Sequence, residues 1–492
     1  MAIGLLGLAV RLISVTRAYD TFIDEVTYTQ VALNIAHGHG VTLYGSRFDL
    51  QPPAVLGLLA GIIDLRDSHG SLEQVILGLR PVAAFFGALE CAGTYLLLRR
   101  AVATRYAVIG AVLMVVNPLM LSYDGLVMLE PFAQAAAVAS VGFLAATFTA
   151  REPRIGWWYT LAAGIFGGIV VTTKETFGLV LATTMVILLV TGWVEHRREL
   201  ALALVGTVTG YRVYLTVLGL TSGLGPWWTA KTTGLERIIG TYQPTGYNSP
   251  LTHVSLISRA AANASQYGVS YLLLGLGGIS AVWLVVQLRP WRSEWGARAT
   301  PRERVTLLIA TWAVVAVAYL SFETLFGSIE EQMYYILALP STATLIIAAS
   351  QVRRRTWGRT LAIVLAVCIA FDAAAWVKTR TGDHNNTAQF LRWAAANLPP
   401  DSVVSTTEGK FQFLLRDQRI GVWTTVPELR EHHVDYVVVD TSLVAQGYSP
   451  ASPAFEHQLD RLAPIVWQGP EAGGDLRIYD VKNLDVKGFH VV

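Results

Sequence analysis

The chain has 492 residues, of which 53% are hydrophobic and only 15% charged. A soluble domain carries about a quarter charged residues. This composition, with a mean hydropathy of +0.45, therefore excludes an ordinary water-soluble enzyme. The 37 basic and 35 acidic residues nearly cancel to +2, so net charge says little and no nucleic-acid partner is expected.

Taken in chain order, a short apolar segment at about 1–18 contains Arg11. It has neither a basic leader nor a small-residue cleavage site, so no removable signal peptide is expected. "TFIDEVTYTQ" follows and sets Asp24 and Glu25 at the start of a helix beside the membrane surface, where acids near a helix N-terminus are favoured by the macrodipole. In "FDLQPPAVLGLLAG", Pro52 and Pro53 break one segment and open an apolar helix. The first outer loop (about 19–80) is thus expected to return to the membrane as a structured element.

Apolar runs of about the length that crosses 30 Å of hydrocarbon recur after that. They predict about eleven spans, near 1–18, 81–98, 106–122, 132–150, 156–173, 177–194, 200–221, 268–288, 305–322, 334–350 and 361–378. Alternate connections are arginine-rich: Arg99, Arg100 and Arg105; Arg151 and Arg154; Arg197 and Arg198; Arg289 to Arg304; and Arg353 to Arg359. By the positive-inside rule these face the cytoplasm. The outer side then receives Asp24, Asp124, Glu130, Lys174, a long loop at about 223–265, the acidic loop with Glu323, Glu330 and Glu331, and everything after the last span.

Residues 379–492 read differently. "DSVVST", "RIGVWT", "VDYVVVDTS", "APIVWQG" and "DLRIYDV" are β-branched strands, with helical patterns in "NTAQFLRWAAANL" and "SPAFEHQLDRL". The expected fold is a polytopic α-helical membrane domain over 1–378, followed by an extracytoplasmic α/β domain with no nucleotide motif. The two cysteines, Cys91 and Cys368, lie in apolar runs and read as packing residues.

Ionisable residues at membrane depth are costly and often functional. Arg80 opens the second span, Lys174 separates two apolar runs, and Glu130 stands at a membrane edge, while Glu90, Arg212 and Asp372 sit inside runs. In succession, "FIDEVTY", "DLQPP", "LRPVAAFFGAL", "YDGLVMLEPF", "GGIVVTTKETFG" and "EEQMYYILALP" resemble the GT-C superfamily of polyprenyl-phosphate-sugar-dependent glycosyltransferases. The similarity is to the protein O-mannosyltransferase and aminoarabinose transferase groups, over roughly residues 10–345.

The resemblance implies an inverting enzyme of the cell envelope, with a polyprenyl-phosphate sugar as donor and a glycan, lipid or protein as acceptor. It makes Asp24 the catalytic base with Glu25 beside it, and it places Arg80 and Lys174 near the donor phosphate. The second acid maps to Glu130, with Asp124 competing for the place; Tyr28 and Tyr335 are secondary candidates. The sequence departs from the family at Gln51, where Lys or His is common, and lacks an arginine in "EEQMYYILALP". Lys231, Arg237 or Arg259 is left to supply that cation. No metal-ligand set is evident; metal dependence varies across the superfamily, so a divalent cation is an open cofactor. The competing class is a transporter or flippase for a lipid-linked or anionic substrate, against which stands the absence of a clear internal repeat.

Overall fold

The structure is a computed structural model that describes residues 1–492 apart from 68–69, 243–254, 293–294, 328, 353–354, 416, 470–474 and 485–492. The first helices are α1 (Ala2–Leu12), α2 (Ile23–Ala36), α3 (Ala54–Leu65), α4 (Leu72–Ala101), α5 (Thr104–Val116), α6 (Pro118–Asp124) and α7 (Glu130–Thr149). Then come α8 (Pro153–Thr173), α9 (Glu175–Thr191), α10 (Arg197–Thr221), α11 (Gly225–Ile238), α12 (Leu256–Leu288), the one-turn α13 (Trp295–Arg298), α14 (Pro301–Phe326), α15 (Tyr335–Ser350) and α16 (Arg355–Thr381).

Every segment expected as a span falls on one of these helices. Among the described residues eight are long and apolar enough to cross a membrane, or nine if α5 and α6, bent by 57° at their junction, form one span. The expected spans at 1–18 and 177–194 appear as α1 and α9, helices of 11 and 17 residues. The double proline does open an apolar helix: Pro53 caps α3, which has only 12 residues.

Local chemistry sets the helix ends. Ser71 accepts from the Gln74 N–H while Gln74 returns the bond to the Ser71 N–H, a capping box that starts α4. Arg99 and Arg100 end it, favourably placed against the negative end of the helix dipole. Thirty residues rise about 45 Å, so α4 is longer than the roughly 30 Å needed to cross the hydrocarbon of a bilayer. α8 and α10 meet through facing glycines. A Cβ added at Gly210 would stand 2.6 Å from Cα of Gly168, and one at Gly206 would stand 2.8 Å from Cα of Gly164; only glycine permits this approach.

The ionisable residues inside the bundle find one another. Arg11 of α1 pairs with Asp124 at 2.6 Å, and the Tyr335 hydroxyl hydrogen-bonds both Asp124 and Glu90, the latter at 2.8 Å. All four are buried, so desolvation is offset by mutual contact across α1, α4, α6 and α15. Arg212 is exposed on α10, and buried Asp372 has no hydrogen-bond partner among the described residues.

The C-terminal domain carries the five strands expected. A hairpin in the first loop supplies β1 (Thr42–Leu43) and β2 (Ser46–Arg47). The sheet contains β3 (Val403–Thr406), β4 (Arg419–Gly421), β5 (Tyr436–Asp440), β6 (Ile465–Gln468) and β7 (Leu476–Asp480), in the order β4-β3-β5-β7-β6. β3 runs parallel to β4 and β5, and β7 runs antiparallel to β5 and β6. The domain is tied to the segment joining α1 to α2. The His384 N–H donates to the Arg17 carbonyl at 2.9 Å, and the Thr387 N–H to Oδ1 of Asp20 at 2.8 Å.

Substituting Gly210→Val should push α10 off α8 and cost about 1–3 kcal/mol, as overpacking does. Thermal unfolding in detergent would read this as a lowered midpoint, and an unchanged midpoint would contradict the close approach.

Candidate active site at the end of the helical bundle

The site begins with a division of labour between two adjacent carboxylates at the start of α2. Glu25 is fully buried. It accepts from the Phe22 N–H at 3.1 Å, the Val127 N–H at 3.1 Å, Nη2 of Arg80 at 2.6 Å and Nε of Arg80 at 3.2 Å. Arg80 spends its other N–H groups on the carbonyls of Val15, Tyr19 and Asp20 at 3.0–3.2 Å. All five guanidinium donors are therefore engaged. The sequence expectation put Arg80 beside the donor phosphate. In the structure it is saturated by protein groups and binds the base of the first loop to the bundle. Glu25 likewise has no oxygen left over.

Asp24, one residue earlier, is half-buried and points into a cavity of about 470 Å³. Among the described residues it accepts one long hydrogen bond, 3.5 Å from the Tyr28 hydroxyl one turn along. Burial first, and then the charge of Glu330, push its carboxyl up to about 6, against the opposing pull of Lys174. The Tyr28 phenol is driven well above its ordinary value by burial and by Asp24, so it stays a donor.

Lys174 stands where α8 breaks to α9, in extended backbone, and reaches the same cavity. It pairs with Glu130 at the start of α7. The loop before α7 is held in turn by the Val127 N–H on Glu25. Of the two acids that competed for this place, Glu130 is beside Lys174. Asp124 and Tyr335 belong instead to the buried network around Arg11 and do not line the cavity.

α11 supplies the remaining basic groups. Arg237 lines the cavity, pairs with Glu330, and keeps its Nε unpartnered among the described residues. Lys231 does not line it; it ties α11 to Glu175 at 2.6 Å and to the Leu50 carbonyl at 2.8 Å. The side chain of Arg259 lies outside the described residues. Gln51, the departure before the double proline, also lines the cavity.

Sequence reasoning missed the C-terminal contribution. Glu408 and Gly409 line the cavity, as does Tyr448. Glu408 meets Lys410 at 2.8 Å, and Lys410 donates to the Thr21 carbonyl at 3.0 Å. Burial outweighs that partner and pushes the Glu408 carboxyl up to about 8. No local motif marks "TTEGKFQF"; only docking of the domain brings it over Asp24. Among the described residues no group of three or more His, Cys, Asp or Glu side chains is arranged to hold a metal ion.

Residues 1–230 match the dolichyl-phosphate-mannose-protein mannosyltransferase family. The fold is that of the GT-C glycosyltransferases. The chain is similar in structure to ArnT from Cupriavidus metallidurans bound to undecaprenyl phosphate, with a TM-score of 0.61, 15% identity and 97% of each chain covered. It is also similar to the oligosaccharyltransferase AglB from Archaeoglobus fulgidus in complex with an inhibitory peptide and a dolichol-phosphate. There the TM-score is 0.58, with 13% identity over 98% of this chain and 74% of that one. No match was found among curated proteins. At these identities the structural likeness concerns the fold: a multi-pass helical membrane domain followed by a sheet-containing domain.

Removing Arg80 leaves a buried, unpaired Glu25, a change that costs about 3–5 kcal/mol in comparable settings. Arg80→Ala should therefore lower the unfolding midpoint in detergent strongly. A variant as stable as the parent would refute the tethering role.

Proposed function

We propose that this chain is a glycosyltransferase that moves a sugar from a polyprenyl-phosphate donor to an acceptor hydroxyl with inversion, at the outer face of the membrane, with Asp24 as general base. The carrying observation is the asymmetry of the pair: Glu25 is consumed by four hydrogen bonds, whereas Asp24 faces a cavity that also holds Lys174 and Arg237.

The chemistry follows from that arrangement. The acceptor oxygen attacks the anomeric carbon and its proton passes to Asp24. The anomeric C–O bond to phosphate breaks, and the lipid leaves as a phosphate that needs no proton. Negative charge gathering on that phosphate is stabilised by the remaining ammonium protons of Lys174 and by Arg237, whose fixed positions cost no reorganisation. One displacement with one base inverts the anomeric centre.

A second cavity supports a prenyl donor. It has a volume of about 1030 Å³ and an almost wholly apolar lining from α12, α14 and α15, including Leu274, Trp283, Val317 and Leu337. Glu330 and Glu331 border both this groove and the Asp24 cavity. A polyprenyl tail gains about 0.8 kcal/mol per buried CH₂, so a tail in the groove would leave its phosphate at that border. The outward orientation is supported by the arginines gathered at the opposite helix ends, such as Arg99, Arg100 and Arg304. We assign residues 1–378 to the transferring domain and 379–492 to the domain that roofs it.

Asp24→Asn should lower transfer by about 10²–10⁴-fold while leaving the fold and polyprenyl-phosphate binding intact. Release of free lipid phosphate from a panel of polyprenyl-phosphate sugars measures this, and near-parental turnover would remove Asp24 as the base. Because the base must be ionised to accept a proton, kcat/KM should rise with pH through about 6. Glu330→Gln removes the negative charge that raises Asp24, so this limb should move to lower pH; a limb that stays put or moves up would contradict the coupling.

A further inference from the structure

Glu323 is a carboxylate that the mechanism leaves unused. It stands near the C-terminal end of α14, is only 1% exposed, and neither of its oxygens meets a hydrogen bond of good geometry among the described residues. It nevertheless lines the Asp24 cavity, with Tyr319 one turn earlier beside it. Tyr319 and the charge of Arg237 both act on this carboxylate, yet they leave most of its acceptor capacity open, which is costly for a buried group and which native structures usually fill.

The surroundings keep this group in place. Gly327, just past the helix end, leaves room for the carboxylate: a Cβ there would lie 2.4 Å from Oε2 of Glu323 and 2.6 Å from the Ile238 carbonyl. Neighbouring residues of α14, Leu320, Ser321 and Thr324, line the apolar groove. α14 therefore turns one face to the groove and presents Glu323 to the polar cavity that Lys174 and Arg237 share. A lipid phosphate held at the border of the two cavities would carry its sugar toward Glu323.

We infer that Glu323 reads the transferred sugar, its two oxygens accepting hydrogen bonds from neighbouring ring hydroxyls of the donor, with Tyr319 beside it. This rests on the lipid-phosphate-sugar reading above and adds the residue that recognises the sugar. A buried acceptor left empty by a sugar lacking those hydroxyls would penalise that sugar strongly, which is how hydroxyl-reading sites discriminate.

Binding by the full-length protein in lipid nanodiscs tests this, with polyprenyl phosphate and the polyprenyl-phosphate esters of mannose, glucose, galactose and arabinofuranose as probes. The parent should bind at least one sugar ester more tightly than the bare lipid phosphate. Glu323→Ala should remove that advantage, by roughly 10- to 100-fold for hydrogen bonds to a charged group, with affinity for the bare lipid phosphate unchanged. Glu323→Gln should keep part of the advantage, and Tyr319→Phe provides a second variant that preserves packing. An advantage that survives in Glu323→Ala, or equal losses for ester and bare lipid, would overturn the inference. A parent that binds bare lipid phosphate but prefers no ester would overturn it too, while the Asp24 assay still decides the transferase reading. A parent that binds neither probe would remove both.

Discussion

The buried pair of Arg80 and Glu25 is the contact on which the site depends. Five guanidinium donors draw together the end of α1, the segment leading into α2, and the first turn of α2 itself. Through the Val127 N–H the same carboxylate fixes the loop that leads to Glu130, and Glu130 in turn holds Lys174. A charge pair without access to water is costly to assemble and costlier to break. That rigidity leaves Asp24, its neighbour in sequence, with a fixed direction and an uncommitted carboxylate.

Two adjacent acids thus acquire opposite roles through their surroundings alone. Glu25 is satisfied on every side by fixed donors. Asp24 has one distant phenol, a nearby like charge in Glu330, and an opening toward solvent space. The two environments pull the pair apart, so a single local sequence contains both a saturated structural tether and an uncommitted carboxylate.

The cavity is assembled from distant parts of the chain. α2 supplies Asp24, the α8–α9 break and α11 supply the cations, α14 and the loop after it supply carboxylates, and the C-terminal domain closes the top with Glu408 and Tyr448. The apolar groove meets it at Glu330 and Glu331. Amphipathic ligands need this junction of two solvents, an oily channel opening onto a charged chamber, and the helical bundle provides it where its ends meet the domain above.

The sequence by itself determined the membrane class, the positions of the helices and the five C-terminal strands, because hydrophobic run length and β-branched patterning act locally. It also singled out Asp24, Lys174 and Glu130, since charge is conspicuous in apolar surroundings. Only the tertiary structure decided which neighbours each charge meets. Arg80 and Lys174 look alike in sequence, yet one is saturated by carbonyls and Glu25 while the other faces open space. Asp124 and Tyr335 were drawn into a network with Arg11 and Glu90, partners 113 and 245 positions away. Glu323 and Glu408 gained meaning only from what surrounds them after folding. The physical reason is that desolvation and hydrogen-bond saturation depend on three-dimensional neighbours, which no local pattern encodes.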